Sequence, residues 1–212
     1  MSDNKSIAGV FIIESLQLND EEKGLYEGKI ISSILQLNKV PSKYYYIRTA
    51  KEFREVLKQF DKLNYRYLHI SCHGDGQSLS LTLDGFNYTE LGKILEPYLH
   101  DKRLFISACS SVNKKIALAV IPASQCYSLI GPQNDIEFRD AAIIWASFYH
   151  LMFKQNASIM VREHLVNNIQ KVVNTFGQPM NYFSRSRTQT VSSKMIEVQD
   201  TRPLITESEM IK

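Results

Sequence analysis

The chain is poor in glycine and proline, with nine and six in 212 residues. That scarcity excludes collagen-like and low-complexity classes, and no heptad pattern runs far enough for a coiled coil. Cysteine is scarce too. Cys72, Cys109 and Cys126 are an odd set that cannot all pair within one chain. Neither sign of charge dominates, since 25 basic residues face 22 acidic ones for a net +3. No basic stripe stands out, so no nucleic-acid partner is expected. Long hydrophobic runs are missing as well. The first apolar run, Ile7 to Ile13, follows the polar Met1 to Lys5 and is too short for a signal segment or a membrane span. The expectation is a cytoplasmic protein with reduced cysteines and no membrane contact.

What remains is ordinary globular composition, 44% hydrophobic and 22% charged. A chain of this length buries about 70% of its unfolded surface and needs no disulfide or metal to fold. Its pattern alternates. Ile7 to Glu14 reads as a buried strand, and Asp20 to Leu37 as one amphipathic helix. Tyr44 to Arg48 is a second strand, and Phe53, Val56, Leu57 and Phe60 mark a helical face. Tyr67 to Ser71 is a third strand, running into the turn-rich His73-Gly74-Asp75-Gly76. Leu79, Leu81 and Leu83 alternate with polar residues, as in a half-exposed strand. Asn87 and Glu90 form a capping-box variant ahead of a helix carrying Leu91, Leu95 and Tyr98. Arg103 to Ser107 is a fourth strand, a short helix starts near Val112, and Gln125 to Ile130 is a fifth strand. Two helical stripes follow, Phe138 to Met152 and Leu165 to Phe176, the second stopped by Gly177 and Pro179. The domain is thus read over residues 1–180. Residues 181–212 read as a polar C-terminal extension or tail, with one edge strand near Met195 to Val198.

Strands separated by helices predict an α/β fold, a mostly parallel central sheet with helices on both faces. In such sheets function gathers beyond the carboxyl ends of the strands. His73 lies two residues past one predicted strand and Cys109 two past another, so both belong at one sheet edge. If those strands are neighbours, about 4.8 Å apart, an imidazole can take the proton of the thiol and make it a nucleophile. A helix starting soon after Cys109 would add a favourable dipole. The backbone N–H groups of Gly74 and Cys109 could hold a developing oxyanion. Taken singly, the residues have blander readings: a small buried cysteine, a turn histidine. His69, mid-strand, reads as a core histidine, Cys72 as packed inside, and His100, His150 and His164 as surface residues. No paired Cys spacing supports zinc, and no phosphate loop or dinucleotide fingerprint is present.

The stretch Leu68-His69-Ile70-Ser71-Cys72-His73-Gly74-Asp75-Gly76, then Leu79 to Gly85 and a helix at Tyr88 to Leu95, resembles the histidine segment of caspase-like cysteine peptidases. Leu104-Phe105-Ile106-Ser107-Ala108-Cys109-Ser110-Ser111 resembles their cysteine segment, in a form closer to the bacterial CHAT branch than to animal caspases. Gly131 to Leu151, with Asp140-Ala141-Ala142 and Phe148-Tyr149, resembles the same branch. The likeness covers about Tyr65 to Leu151. It implies a caspase-like three-layer fold and a cysteine endopeptidase acting on protein substrates with no metal or organic cofactor. His73 would be the general acid/base, Cys109 the nucleophile, and Gly74 and Cys109 the oxyanion donors. Proteins of this branch often serve bacterial defence or cell-death systems, and a separate regulatory or sensor partner is expected here. The pattern departs in two places. Ser110-Ser111-Val112 stand where a glycine is common, so the loop should bend differently. Ser107 stands where metacaspases carry an acid, so a pocket for basic residues does not follow. Asp75 and Asp135 are candidates to line a substrate pocket, the alternative for each being a turn or cap residue. Two other functions compete: a catalytically silent binding module on the same fold, and a flavodoxin-like ligand-binding domain, which would keep His73 and Cys109 apart.

Overall fold

A computed structural model of the chain describes residues 6–155, 160–186 and 191–199. The first apolar run is β1 (Ile7–Glu14), followed by α1 (Leu18–Glu22), α2 (Glu27–Leu37), β2 (Ser42–Tyr46), α3 (Ala50–Leu63) and β3 (Tyr65–Ser71). Beyond β3 lie three short strands, β4 (His73–Gly74), β5 (Ser78–Ser80) and β6 (Gly85–Asn87), then α4 (Tyr88–Leu95) and β7 (Arg103–Ser107). The rest is α5 (Lys114–Ser124), β8 (Ser128–Pro132), α6 (Phe138–Gln155), α7 (Arg162–Phe176), β9 (Met180–Arg185) and β10 (Val191–Ile196).

Seven strands form the central sheet in the order β10-β9-β8-β7-β3-β1-β2. The five from β2 to β8 run parallel, while β9 is antiparallel to β8, and β10 to β9. Strand alternation divides the core in two. Phe11, Ile13, Leu68, Ile70, Leu104 and Ile106 face α3, α4 and α5. Val10, Ile12, Tyr67, Phe105 and Ile130 face α2, α6 and α7. The result is the expected three-layer α/β arrangement, with a continuous apolar sheet covered on both sides. The chain reverses direction across the sheet between β1 and β3, which places the switch-point crevice beyond Glu14 and Ser71.

Several predicted boundaries move. The helix expected over Asp20 to Leu37 is two helices, because Gly24 takes a left-handed turn (φ 70°) that ends the first. The strand expected through Leu83 stops at Ser80, where Leu81 N–H turns back to the Asp84 carbonyl at 2.8 Å. The Asn87–Glu90 capping box is present in both directions. The polar stretch from Asn181 is part of the sheet: β9 pairs with β8, and β10 forms the edge. Its polar sequence suits an edge that faces solvent on one side. Residues 200–212 of the expected tail lie outside the described residues. Among the described residues, no helix is long and apolar enough to cross a membrane.

Gly131, at the carboxyl end of β8, sits against the neighbouring strand. A Cβ there would lie 2.2 Å from the Ile106 carbonyl oxygen and 2.5 Å from Val112 Cγ2. Gly131→Ala is expected to cost about 1–3 kcal/mol, the range for overpacking a filled core, read as a lower urea midpoint at unchanged slope. Gly76→Ala, where a Cβ meets nothing within 4 Å, should leave the midpoint in place.

Candidate active site

Ser71 and Ser107 end β3 and β7 directly opposite each other. The next residue keeps the pairing, with Cys72 N–H donating to the Ser107 carbonyl at 3.1 Å. His73 and Cys109 therefore leave the sheet edge at equivalent steps. They line one small cavity of about 40 Å³ together with Glu27, Ser107, Ile136 and Phe138. The flavodoxin-like alternative required the two apart, and they share a wall. The Cys109 thiol reaches toward the Ile136 carbonyl, with Sγ to O 3.5 Å. The Phe138 ring stands edge-on to the imidazole at 5.0 Å between centroids. The first contact comes from the loop after β8, the third place where the strand-end rule directed attention, and the second from the first residue of α6.

His73 Nε2 lies 2.7 Å from Asp20 Oδ2. Asp20 is on α1, which a neighbouring acid holds in place. Glu21 is gripped by the Arg48 guanidinium and by the Tyr46 hydroxyl. The Tyr46 hydrogen bond first, and then Arg48, keep the Glu21 carboxyl below the ordinary range. Sequence reading missed Asp20, since a polar residue in a helix start carries no local mark of a partner 53 positions away.

The loops after β3 and β7 are tied together. The Tyr88 hydroxyl donates toward the Asp75 and Ser111 carbonyls, and the Asn113 amide toward those of Gly76 and Ser110. Gly74 is pressed against the Cys109 loop so closely that a Cβ would lie 2.1 Å from Ser111 Oγ. Asp75 N–H bonds the Ser78 carbonyl at 3.1 Å. By the alternation of antiparallel ladders the next pair, Gly74 with Leu79, is a non-bonded one, and the Gly74 N–H points away from β5. Ser110 solves the missing-glycine problem by itself taking a left-handed conformation, φ 51°. The helix expected near Val112 starts at Lys114, and its first free N–H groups are taken by the Asn113 side chain. Asp75 accepts from the Gln77 and Ser78 N–H groups in the hairpin turn, and Asp135 accepts from the Ser110 hydroxyl at 2.8 Å. Neither belongs to the cavity wall.

Below the cavity is a polar seam that no motif announced. Glu27, the first residue of α2, is buried and accepts from the hydroxyls of Ser71 (3.1 Å) and Ser107 (2.9 Å). Its other oxygen lies 3.4 Å from His69 Nε2, close enough for ionic attraction but without hydrogen-bond geometry. His69 Nδ1 is 2.9 Å from the Tyr149 hydroxyl. Glu14 receives the Gly28 N–H and the Tyr44 hydroxyl, each at 2.7 Å. Burial drives its carboxyl up to about 7, against those two hydrogen bonds and with help from the Glu27 charge. Cys72 and Cys126 are buried thiols pushed upward by desolvation, Cys126 to about 12. Trp145, Phe148 and Tyr149 are core residues, as expected. Among the described residues, no three His, Cys, Asp or Glu side chains gather around one metal position.

No protein-family model matches the sequence, and no curated protein matches it. Among solved structures the fold is similar to a secreted C11 cysteine protease from Bacteroides thetaiotaomicron, with a TM-score of 0.58 over 84% of this chain and 11% identity. It is also similar to caspase-1 from Spodoptera frugiperda, with a TM-score of 0.53 over 80% of this chain and 77% of that one, at 13% identity. The chain spans 66% of the length of the bacterial protease. The fold is caspase-like.

Glu14 gives a pH test of the seam. Its carboxyl titrates near 7 when folded and near 4.5 when free. Between those values the folded chain holds a proton that the unfolded chain has lost. This contribution is complete below the lower value and disappears as pH rises through the upper one. Glu14→Gln keeps an acceptor and a polar partner for Gly28 and Tyr44. It should flatten the wild-type fall in stability between about pH 5 and 7, measured by urea unfolding across that window.

Proposed function

We propose that the chain is a cysteine endopeptidase of the caspase-like kind, and on its motifs a relative of the CHAT branch. The observation that carries this reading is the shared cavity of His73 and Cys109 at the ends of paired strands, with Asp20 on Nε2 of the imidazole. A carboxylate only accepts, so Asp20 holds the hydrogen on Nε2 and leaves Nδ1 as the base. Nδ1 takes the Cys109 proton and the thiolate attacks the scissile carbonyl carbon. The imidazolium then returns that proton to the leaving amine, and water attacks the acyl-enzyme with the imidazole again as base. The oxygen charge that develops in each tetrahedral intermediate falls to the N–H groups of Gly74 and Cys109. The outward turn of the Gly74 N–H supports that role.

The cavity volume, about 40 Å³, is close to that of a single water molecule. So small a space beside Cys109 supports regulation by a protein that widens the site, a separate partner in a defence or cell-death system in the cytoplasm. The substrate is protein.

A fluorogenic peptide library, tried with and without the products of neighbouring genes, tests the reading. Cys109→Ala should abolish turnover, Cys126→Ala should leave it, and Asp20→Asn should lower kcat by about 100-fold, the scale of one lost acid/base arrangement. Turnover surviving in Cys109→Ala refutes the peptidase. No turnover under any condition, with partner binding intact in Cys109→Ala, favours the silent module. Iodoacetamide at neutral pH should label Cys109 alone, because Cys72 and Cys126 are buried with raised thiols. Equal labelling of all three would contradict the geometry.

A further inference from the structure

The solvent side of α6 lacks the charge that an exposed helix face ordinarily carries. Between Asp140 and Lys154 this helix holds no Asp, Glu, Lys or Arg. Its inner face is spent on the core, with Trp145, Phe148, Tyr149 and Met152 buried. The outer face carries Ile143, Ala146, Ser147, His150 and Leu151, which recur at helical spacing. Ile143 is 53% exposed. A helix apolar all round is normally covered all round.

α6 packs between α2 and α7 and forms the floor of a groove for which they are the walls. Ile34 and Asn38 stand on one side, and Val172, Thr175 and Phe176 on the other, around a cavity of about 440 Å³. The small Ala146 and Ser147 give the groove its depth. The apolar strip continues beyond the cavity. Ile30, one turn before Ile34, is 49% exposed, and Leu37, one turn after it, 79%.

One end of the groove is basic. His150 Nδ1 lies 3.1 Å from Asn38 Oδ1, which joins the end of α2 to α6. Lys39 follows Asn38 directly, and Lys154 lies one turn beyond His150, both exposed. Asn168 donates to Met152 Sδ at 3.2 Å, which sets the groove-lining Lys171 beside the same half of α6. The Lys171 ammonium donates to the neutral Asn168 Oδ1 at 3.4 Å. Among the described residues no acid lines the groove, and no carboxylate lies within ion-pair distance of Lys39, Lys154 or Lys171. Asp140 stands at the opposite end of α6.

Floor and walls are helices whose backbone groups bond internally, so no strand can be added here. A small molecule could fill the cavity but would leave Ile30, Leu37 and Ile143 bare. A helix laid along α6 covers the floor and both walls together, with anchors at i, i+4 and i+7. Its flank meets three unpaired lysines at one end, and acids there complement them. We propose that the groove between α2, α6 and α7 docks an amphipathic helix of a partner protein, acidic at the end that meets Lys171. Such docking does not require Cys109 to be catalytic.

The probe is a fluorescein-labelled, hydrocarbon-stapled helical peptide with leucines at i, i+4 and i+7 and glutamates at one end. It is titrated into the full chain and read by anisotropy. Saturable binding is expected, falling with added sodium chloride. The same peptide with lysines in place of glutamates should bind about tenfold more weakly. Ile143→Glu changes an exposed position, and its fold is checked by circular dichroism. It should weaken the acidic peptide about tenfold, the scale of one interface anchor. Lys171→Glu should reverse the preference between the two peptides. A diazirine on the apolar face of the acidic peptide should attach to α2, α6 or α7 of the unmutated chain, read by mass spectrometry, an arm that needs no variant. Absence of saturable binding, equal affinity for the two peptides, full affinity in folded Ile143→Glu, or attachment elsewhere overturns the proposal. A carbodiimide cross-link from Lys171 to Glu207 or Glu209 of the same chain, or a dimer that Ile143→Glu dissociates, assigns the groove to the chain itself and also overturns it.

Discussion

The in-register pairing of β3 with β7 is the constraint from which the site follows. Five residue pairs run from Tyr67 and Arg103 to Ser71 and Ser107. Two steps beyond each strand the chain delivers an imidazole and a thiol. Strand rise is about 3.3 Å per residue, so a slip of one position would carry Cys109 past His73 and turn the whole β7 side-chain set to the wrong face. The buried runs on both strands forbid that slip, since Leu104 and Ile106 would trade places with Phe105 against a different set of helices. Packing thus fixes register, and register fixes which two loops meet. Gly74 then lets them touch, because any side chain there would occupy the position of Ser111 Oγ.

Beneath that pairing the core is not apolar. Glu14, Glu27 and His69 are all buried on the face covered by α2 and α6. Replacing such groups with well-packed apolar residues is often neutral or stabilising, so stability alone does not account for them. Their arrangement does explain how α2 docks. Glu14 takes the Gly28 N–H in the first turn of that helix, where an acid is favoured by the free N–H groups. Glu27, one residue earlier, is held by the serines that end β3 and β7. The two strands that lead to His73 and Cys109 and the helix beside them are therefore joined through one carboxylate. With Glu14 inclined to hold its proton near neutral pH, the like-charge repulsion between the two acids is relieved.

Much of this was legible because periodicity reports burial. Among the parallel strands, β2 was found from its β-prone tyrosines, two residues late, and the others from their apolar runs, and the Asn87–Glu90 box from two residue types at fixed spacing. The pairing of His73 with Cys109 at one edge followed from their equal offset beyond Ser71 and Ser107. What failed was information held outside any window. Gly24 breaks a helix whose flanks both read as helical. The β9 sequence is polar at Asn181, Ser184 and Arg185 yet buries Tyr182 and Phe183, so a strand between two partners looked like a tail. Asp20 and Glu27 are ordinary acids on a helical pattern, and only the fold of α1 and α2 over the strand ends gives them partners. Ser110 shows the limit of a motif in the other direction. Where a glycine is common, Ser110 holds a left-handed backbone.

The small cavity and the packed strands together say where the site can widen. β3 and β7 are pinned between two packed layers, and interiors at that density do not yield by ångströms. Cys109 and His73 are also tied from behind, through Tyr88, Ser111 and Asn113, to the hairpin and to α4. The remaining walls are Glu27 of α2, Ile136 in the loop after β8, and Phe138 and Ala141 of α6. α1 is a single turn held by one surface ion pair and a tyrosine, and moving it would take Asp20 off the imidazole. The β8 loop contributes Ile136 and the first turn of α6 contributes Phe138, both only half buried, and Phe138 meets His73 by ring edge. Displacing that loop frees the Cys109 thiol from the Ile136 carbonyl and enlarges the cavity while Asp20, His73 and the Gly74 N–H keep their places. Movement of the segment from β8 into α6 therefore disturbs His73 and Asp20 least.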